Sequence, residues 1–217
     1  MKSAVKVVNL NKNYYVHKNT ISVFKNLNLN FYYGKMYGII GHSGCGKSTL
    51  IKIIGLLENY DSGNIFINNQ DISKTSLIDQ AKLRNEKIGF VFQDYLLDDY
   101  LNVYDNILLP TLLNKKDNKN NIIDLAKTYG IENRLKHFPK ELSGGEQARV
   151  ALIRAIINDP DIILADEPTG NLDGKNEILV LNNLKKIARN GKCVIVVSHS
   201  KDIEKYVDEI IDLEGEL

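Results

Sequence analysis

Cysteine is scarce in this sequence, no charge sign prevails, and apolar runs are short. Of 217 residues only two are cysteine, Cys45 and Cys193. Neither their number nor their spacing supports a disulfide framework or a zinc site, so a reducing compartment is the expected setting. The 28 basic side chains face 27 acidic ones, a net charge of +1. That balance removes the whole-chain attraction that nucleic acid or an anionic membrane surface exploits. Apolar runs such as Val194–Val197 fall far short of the roughly 20 residues that span a bilayer. The opening residues soon alternate apolar with polar, without the continuous apolar stretch of a leader. A membrane role is therefore expected only through a partner.

What is present suffices for a packed core. The hydrophobic fraction is 43% and the charged fraction 25%, which gives no case for disorder. The length predicts one domain carrying a small subdomain. Val5–Leu10, Ile21–Phe24, Leu27–Phe31 and Ile65–Asn68 read as short strands with Asn and Gly turns. Met36–Gly41 is a compact apolar run ahead of a Gly-rich loop and a helical stretch, Ser48–Leu57. Ile88–Phe92, Ile162–Ala165 and Val194–Ser198 are continuous apolar runs, as in a parallel sheet buried on both faces. Between them, Val103/Ile107/Leu108, Ile122/Leu125/Ala126/Tyr129 and Val150/Ile153/Ile157 keep helical spacing. The polar run Asn114–Asn121 reads as a solvated loop. Ile178–Arg189 reads as the helix of a βαβ unit.

Gly41-His42-Ser43-Gly44-Cys45-Gly46-Lys47-Ser48-Thr49 matches G-x-x-x-x-G-K-[ST] between a strand and a helix. Glycine lets the backbone wrap closely around phosphate with its N–H groups inward, and a helix start adds a positive dipole end. Lys47 is expected to reach the β- and γ-phosphates, and the Ser48 hydroxyl to bind Mg²⁺. His42 and Cys45 occupy the loop's variable positions. Downstream, the apolar strand Ile162–Ala165 ends in Asp166 and Glu167. Asp166 is placed to bind Mg²⁺ through a water. Glu167, pointing to the other side of the strand, is free to act as general base on the water that attacks the γ-phosphorus.

Leu142-Ser143-Gly144-Gly145-Glu146-Gln147 narrows the reading, because it is a second phosphate-type helix start. It resembles the signature motif of ABC ATPases, and it stands upstream of the acidic strand where that family has it. The resemblance covers essentially the whole chain. It implies an α/β fold: a P-loop NTPase core with a RecA-like parallel sheet, an N-terminal antiparallel β layer and an inserted α-helical subdomain. Residues 1–93 and 158–217 would form the core and 94–157 the helical subdomain. It further implies that Ser143, Gly144, Gly145 and Glu146 close over the nucleotide held by a second copy. Gln93 resembles the glutamine that touches Mg²⁺ and senses the membrane partner, Asp173 the aspartate that communicates across the dimer, and His199 the histidine at the γ-phosphate. Tyr14, next to Tyr15, resembles the aromatic that stacks on adenine. With the sequence stopping at Leu213–Leu217, the extra C-terminal regulatory domain of some importer ATPases is not expected.

Asp166-Glu167-Pro168-Thr169-Gly170-Asn171-Leu172-Asp173 and Ile88–Gln93 are similar to the runs of the macrolide-export, lipoprotein-release and cell-division (FtsE-type) ATPases. The resemblance implies an ATPase that uses ATP and Mg²⁺ and forms an ATP-dependent homodimer. It would sit on the cytoplasmic face of the cell membrane through an integral membrane permease, without nucleic acid. The expected role is export or release of an amphiphilic cargo such as an antimicrobial peptide or bacteriocin, a macrolide or a lipoprotein. The alternative is an ATP-switched regulatory module of a cell-division membrane complex.

Overall fold

The computed structural model of the protein describes residues 2–17, 19–113, 119–199 and 201–213. Most of the loop expected at 114–121, and the last four residues of the chain, lie outside this set.

Asparagine shapes the first sheet. β1 (Ser3–Val16) pairs antiparallel with β2 (Asn19–Tyr32) on one side and β4 (Ser62–Ile67) on the other, and β5 (Gln70–Asp71) adds an edge. The pairing of β1 with β2 shifts register between Val7 and Leu10. There Asn9 has φ 49°, and at the next shift, between Leu10 and Lys12, Asn26 of β2 has φ 52°, a left-handed conformation that asparagine tolerates better than most residues. Ile21–Phe24 and Leu27–Phe31, expected as separate strands, are therefore one strand bent at Asn26. Asn68 and Asn69, at φ 53° and 65°, form the tight turn from β4 to β5, as paired positive φ values suit a two-residue hairpin.

The second sheet is parallel and five-stranded, in the order β6 (Ile88–Val91), β7 (Ile162–Asp166), β8 (Cys193–Val197), β3 (Met36–Ile40), β9 (Glu209–Asp212). Its apolar runs carry side chains to both faces. Ile162, Leu164, Ile195, Val197, Tyr37 and Ile39 join a core with the antiparallel sheet and α1 (Lys47–Ile54). Ile163, Ala165, Val194, Val196 and Met36 pack on the opposite face against α5 (Gly144–Ile156) and α6 (Gly174–Arg189). Burial on both faces explains why these strands are apolar throughout. Where β6 meets α5 the backbones touch: a Cβ on Gly89 would stand 2.2 Å from the Ala155 carbonyl oxygen.

Between β6 and β7 lie α3 (Val103–Leu108), α4 (Lys119–Thr128) and α5, whose Val103, Ile107, Ile122, Ala126, Val150 and Ile153 form a third core. The expected α/β class is thus present, with its β layer and its helical insertion. A helix the sequence did not announce, α2 (Leu77–Lys87), precedes β6 and buries none of its residues. With no apolar stripe to bury, it has no period to read; the Ser76 hydroxyl caps it by accepting from Asp79 N.

Strand order positions the site. β6, β7, β8 and β3 are consecutive neighbours, so the loops leaving their C-terminal ends emerge side by side, where open α/β sheets bind ligands. Those loops carry Gln93, the Asp166–Glu167 pair, His199 and the glycine-rich loop from Gly41.

Candidate functional site

The loop after β3 is tied to itself by its lysine. Lys47 is buried, with 4% exposure, and its ammonium donates to the Gly41 carbonyl at 2.8 Å and the His42 carbonyl at 2.9 Å. Gly46, at φ 102°, starts α1 without a side-chain cap. A Cβ there would lie 2.5 Å from Val23 Cγ1, so only glycine lets β2 close over the loop. In α2 and α5 a serine caps one first-turn amide, Ser76 that of Asp79 and Ser143 that of Glu146, and in α6 Asp173 caps those of Lys175 and Asn176. The uncapped start of α1 is the helix end whose amides and dipole suit an anion. Ser43, Gly44, Gly46, Lys47, Ser48 and Thr49 line a cleft there with Tyr14, Ile21, Val23, Gln93, Glu167 and His199.

At its floor, Ser48 Oγ donates to Asp166 Oδ1 at 3.0 Å. Asp166 is buried, which pushes its carboxyl above the usual range, against the Ser48 hydrogen bond and the nearby Lys52 and Lys47 charges. The pair offers hard oxygens of the kind Mg²⁺ takes, one carboxylate and one hydroxyl beside substrate phosphates. Among the described residues no three His, Cys, Asp or Glu side chains form a metal cluster.

Glu167 departs from the orientation expected of it. Strand alternation would send it away from Asp166, but its φ of 48° ends β7 in a left-handed turn, held by its N–H donating to Val197 O at 3.0 Å. Its carboxylate therefore lines the same cleft that Asp166 underlies. There it meets His199, Nε2 to Oε1 2.5 Å, with the imidazole 56% exposed and the carboxylate 10%. A non-glycine residue in this conformation costs about 1–3 kcal/mol and persists where surrounding structure imposes it.

Tyr14 and Tyr15 separate clearly. Tyr14 lines the cleft, whereas Tyr15 is 74% exposed and does not. The Tyr14 hydroxyl donates to Glu58 Oε1 and lies 3.2 Å from Thr49 Oγ1.

Ser143–Glu146 and Asp173 do not line the cleft of their own chain. Ser143 caps α5 in a reciprocal box: its hydroxyl accepts from Glu146 N, and Glu146 Oε2 accepts from Ser143 N at 2.8 Å. Glu146 Oε1 also accepts from Arg134 Nε at 2.8 Å, so this carboxylate is committed to shaping the helix start. Asp173 caps α6 by accepting from Lys175 N at 3.1 Å and Asn176 N at 3.0 Å.

Sequence reasoning missed several supports of the site. Arg154 on α5 donates to the Tyr95 and Leu96 carbonyls at 2.6 and 2.7 Å, clasping the left-handed turn that follows Gln93. Asn106, fully buried, closes the next loop by accepting from Asp98 N at 2.8 Å and donating to Leu101 O at 3.0 Å. A lone arginine or asparagine in a helix carries no signal of such contacts; only an unusual polar residue at a helical core position could have flagged Asn106.

The cleft thus combines phosphate-type helix amides, a buried lysine, a hydroxyl–carboxylate pair, and an exposed histidine on a carboxylate. Together they can hold a nucleoside triphosphate and deprotonate a water beside it.

Known proteins agree. The family model described as ABC transporter matches residues 24–170. The chain is 37% identical over 211 residues to the macrolide export ATP-binding/permease protein MacB of Chlorobium luteolum, covering 96% of this chain and 32% of that protein. It therefore spans about a third of the length of such relatives. It is 38% identical over 211 residues to the lipoprotein-releasing system ATP-binding protein LolD 1 of Rhodopirellula baltica, covering 95% and 92%. Among solved structures, the dimeric post-hydrolysis state of the ATP-binding cassette MJ0796 bound to ADP and Pi matches with TM-score 0.88 and 35% identity, over 96% of this chain and 93% of that one.

Proposed function

The chain belongs to the ABC transporter family as an ATP-binding and ATP-hydrolysing cassette, and from that premise we propose that two copies sandwich ATP to drive a membrane permease. The convergence of Lys47, Ser48–Asp166, Gln93 and Glu167–His199 at one sheet edge supports this most. Lys47 and the free amides of α1 hold the β- and γ-phosphates, and the Tyr14 ring receives adenine. Ser48, Asp166 and Gln93 would hold Mg²⁺, which would supply neutralisation of charge on the phosphate oxygens. Glu167 accepts the proton of the attacking water, and His199 orients that carboxylate and donates to the γ-phosphate. Ser143, the amides of Gly144 and Gly145 with their Glu146-braced helix start, and Asp173 face the nucleotide of the second copy; that a similar cassette, MJ0796, forms a dimer supports a two-copy assembly.

The permease is expected at the groove lined by Ala81, Phe90, Phe92, Leu113 and Arg154, where Phe90 and Phe92 stack at 4.2 Å and Leu112 and Leu113 are 66% and 79% exposed. Arg154 ties that groove to the turn after Gln93, giving permease movement a route to the cleft. No helix among the described residues is long and apolar enough to cross a membrane; membership of the ABC transporter family supports a place at the cytoplasmic face through a membrane partner. Relatives named for macrolide export and lipoprotein release support export or release of an amphiphilic cargo, a macrolide or a lipoprotein, over a cell-division role; an antimicrobial peptide or bacteriocin is part of the same proposal without support from those names.

Glu167→Gln tests this. The variant should still bind ATP, lose about 10²–10⁴-fold in hydrolysis rate, and accumulate as an ATP-dependent dimer on size exclusion. Phosphate release at the parental rate would refute the general-base role.

A further inference from the structure

The Tyr14 ring is held by three groups, two of them, Lys12 and Glu58, outside the phosphate loop. Its hydroxyl donates to Glu58 Oε1 and lies 3.2 Å from the Thr49 hydroxyl. The Lys12 ammonium stands 4.6 Å from the ring centroid, a cation–π distance. The same ammonium bonds Glu58 Oε1 at 3.0 Å and the Asn59 carbonyl at 2.8 Å. Lys12 and Glu58 are largely enclosed, with side-chain exposures of 11% and 22%. They come from β1 and from the turn after α1, so the bracket ties the first hairpin to the helix that starts at the phosphate loop. Partial burial pushes the Glu58 carboxyl up, but the hydrogen bonds from Tyr14 and Lys12 outweigh this and hold it below the usual range. It stays an ionised acceptor through neutral pH.

An aromatic side chain with two free torsions would otherwise turn at the mouth of the cleft. Tyr14 is 37% exposed, so neighbouring packing alone does not fix it. The bracket sets the ring plane, and Ile21 and Val23 line the cleft alongside. Fixing a binding platform before the ligand arrives removes the ordering cost from the binding step.

We propose that Glu58 and Lys12 are positioning residues for base recognition, holding Tyr14 in the orientation that stacks a purine while leaving phosphate binding untouched. This rests on the reading that Tyr14 receives adenine.

The test compares two ligands that share phosphates but not a base: ATP and inorganic tripolyphosphate, each competing against MANT-ATP with Mg²⁺ on the full chain. Tyr14→Ala should weaken ATP about tenfold, the scale of one base–aromatic stack. Glu58→Ala should weaken ATP about three- to tenfold, and Lys12→Met in the same direction. Glu58→Gln should recover much of the loss, because its amide oxygen still accepts from the tyrosine hydroxyl. Tripolyphosphate affinity should be unchanged in all four variants. The Tyr14→Ala/Glu58→Ala double variant should bind ATP no more weakly than Tyr14→Ala alone. If Tyr14→Ala weakens ATP and Glu58→Ala does not, the bracket has no positioning role. Equal weakening of ATP and tripolyphosphate in Glu58→Ala would mean a general disturbance of the loop and would overturn the proposal. If Tyr14→Ala leaves ATP affinity intact, the adenine reading itself fails and takes the bracket with it.

Discussion

Cys45 and Cys193 are both buried but in opposite settings. Cys193 lies in the middle of the parallel sheet with 0% exposure, and burial pushes its thiol up to about 12. Cys45 sits in the phosphate loop beside exposed Gly44, its sulfur 4.0 Å from the Lys47 ammonium. Treating the native protein with N-ethylmaleimide near neutral pH should give one adduct, at Cys45, and abolish MANT-ATP binding. Saturating ATP should protect it, and Cys193 should react only after denaturation. Peptide mapping by mass spectrometry reads the sites; full ATP binding after complete Cys45 alkylation would sink the idea. At this scale the sequence was legible where a motif fixes neighbours a few residues apart, as for Lys47 and Ser48. It was not legible where the backbone leaves its regular path, as at Glu167, whose left-handed φ cancels the alternation on which its direction was judged. Nor could it expose Glu58, which reaches Tyr14 across 44 residues of chain.

Among helices, the starts are what differ. α1 begins without a side-chain cap, while α5 is closed by Ser143 and Glu146 and braced by Arg134. The Arg134 hydrogen bond, followed by the Ser143 N–H, holds the Glu146 carboxyl down to about 2. A carboxyl lowered in the folded state stabilises the fold above its unfolded value near ~4.3, and that contribution fades as pH falls towards 2. Glu146→Gln keeps the reciprocal capping geometry and removes the charge. It should cost about 1 kcal/mol near neutral pH, with the gap in melting temperature closing below about pH 4. A gap that stayed constant across a melting series down to acid would show that the charge contributes nothing. The amphipathic helices and the apolar strands were readable, because burial on one face or two leaves a period or a run. α2 was not, since none of its residues is fully buried and Leu83 alone of its apolar side chains packs against the first core. β2 was divided in the reading because a bend at Asn26 looks like a turn when its partner strand is unknown.

Over the whole molecule, four of the five parallel strands and their crossover helices followed from the sequence, because each strand–helix unit is local in the chain, whereas the short edge strand β9 was not read. The antiparallel layer's pairing did not follow, since β4 joins β1 from some fifty residues away. The two phosphate-type helix starts also occupy different places: α1 opens on the cleft, and the Ser143 start of α5 does not line it. On the proposed sandwich, one chain by itself would offer a nucleotide only part of its eventual coordination. Ligand affinity and self-association become two readings of one linked equilibrium, so neither constant belongs to the isolated chain. With Glu167→Gln protein, the ATP concentration giving half-saturation should fall as protein concentration rises, measured by MANT-ATP displacement across a dilution series. A half-saturation point indifferent to dilution would mean that each copy completes its own site. If it moves, the cassette reports local crowding of its own kind: sparse copies release their fuel, and copies gathered on a shared partner retain it.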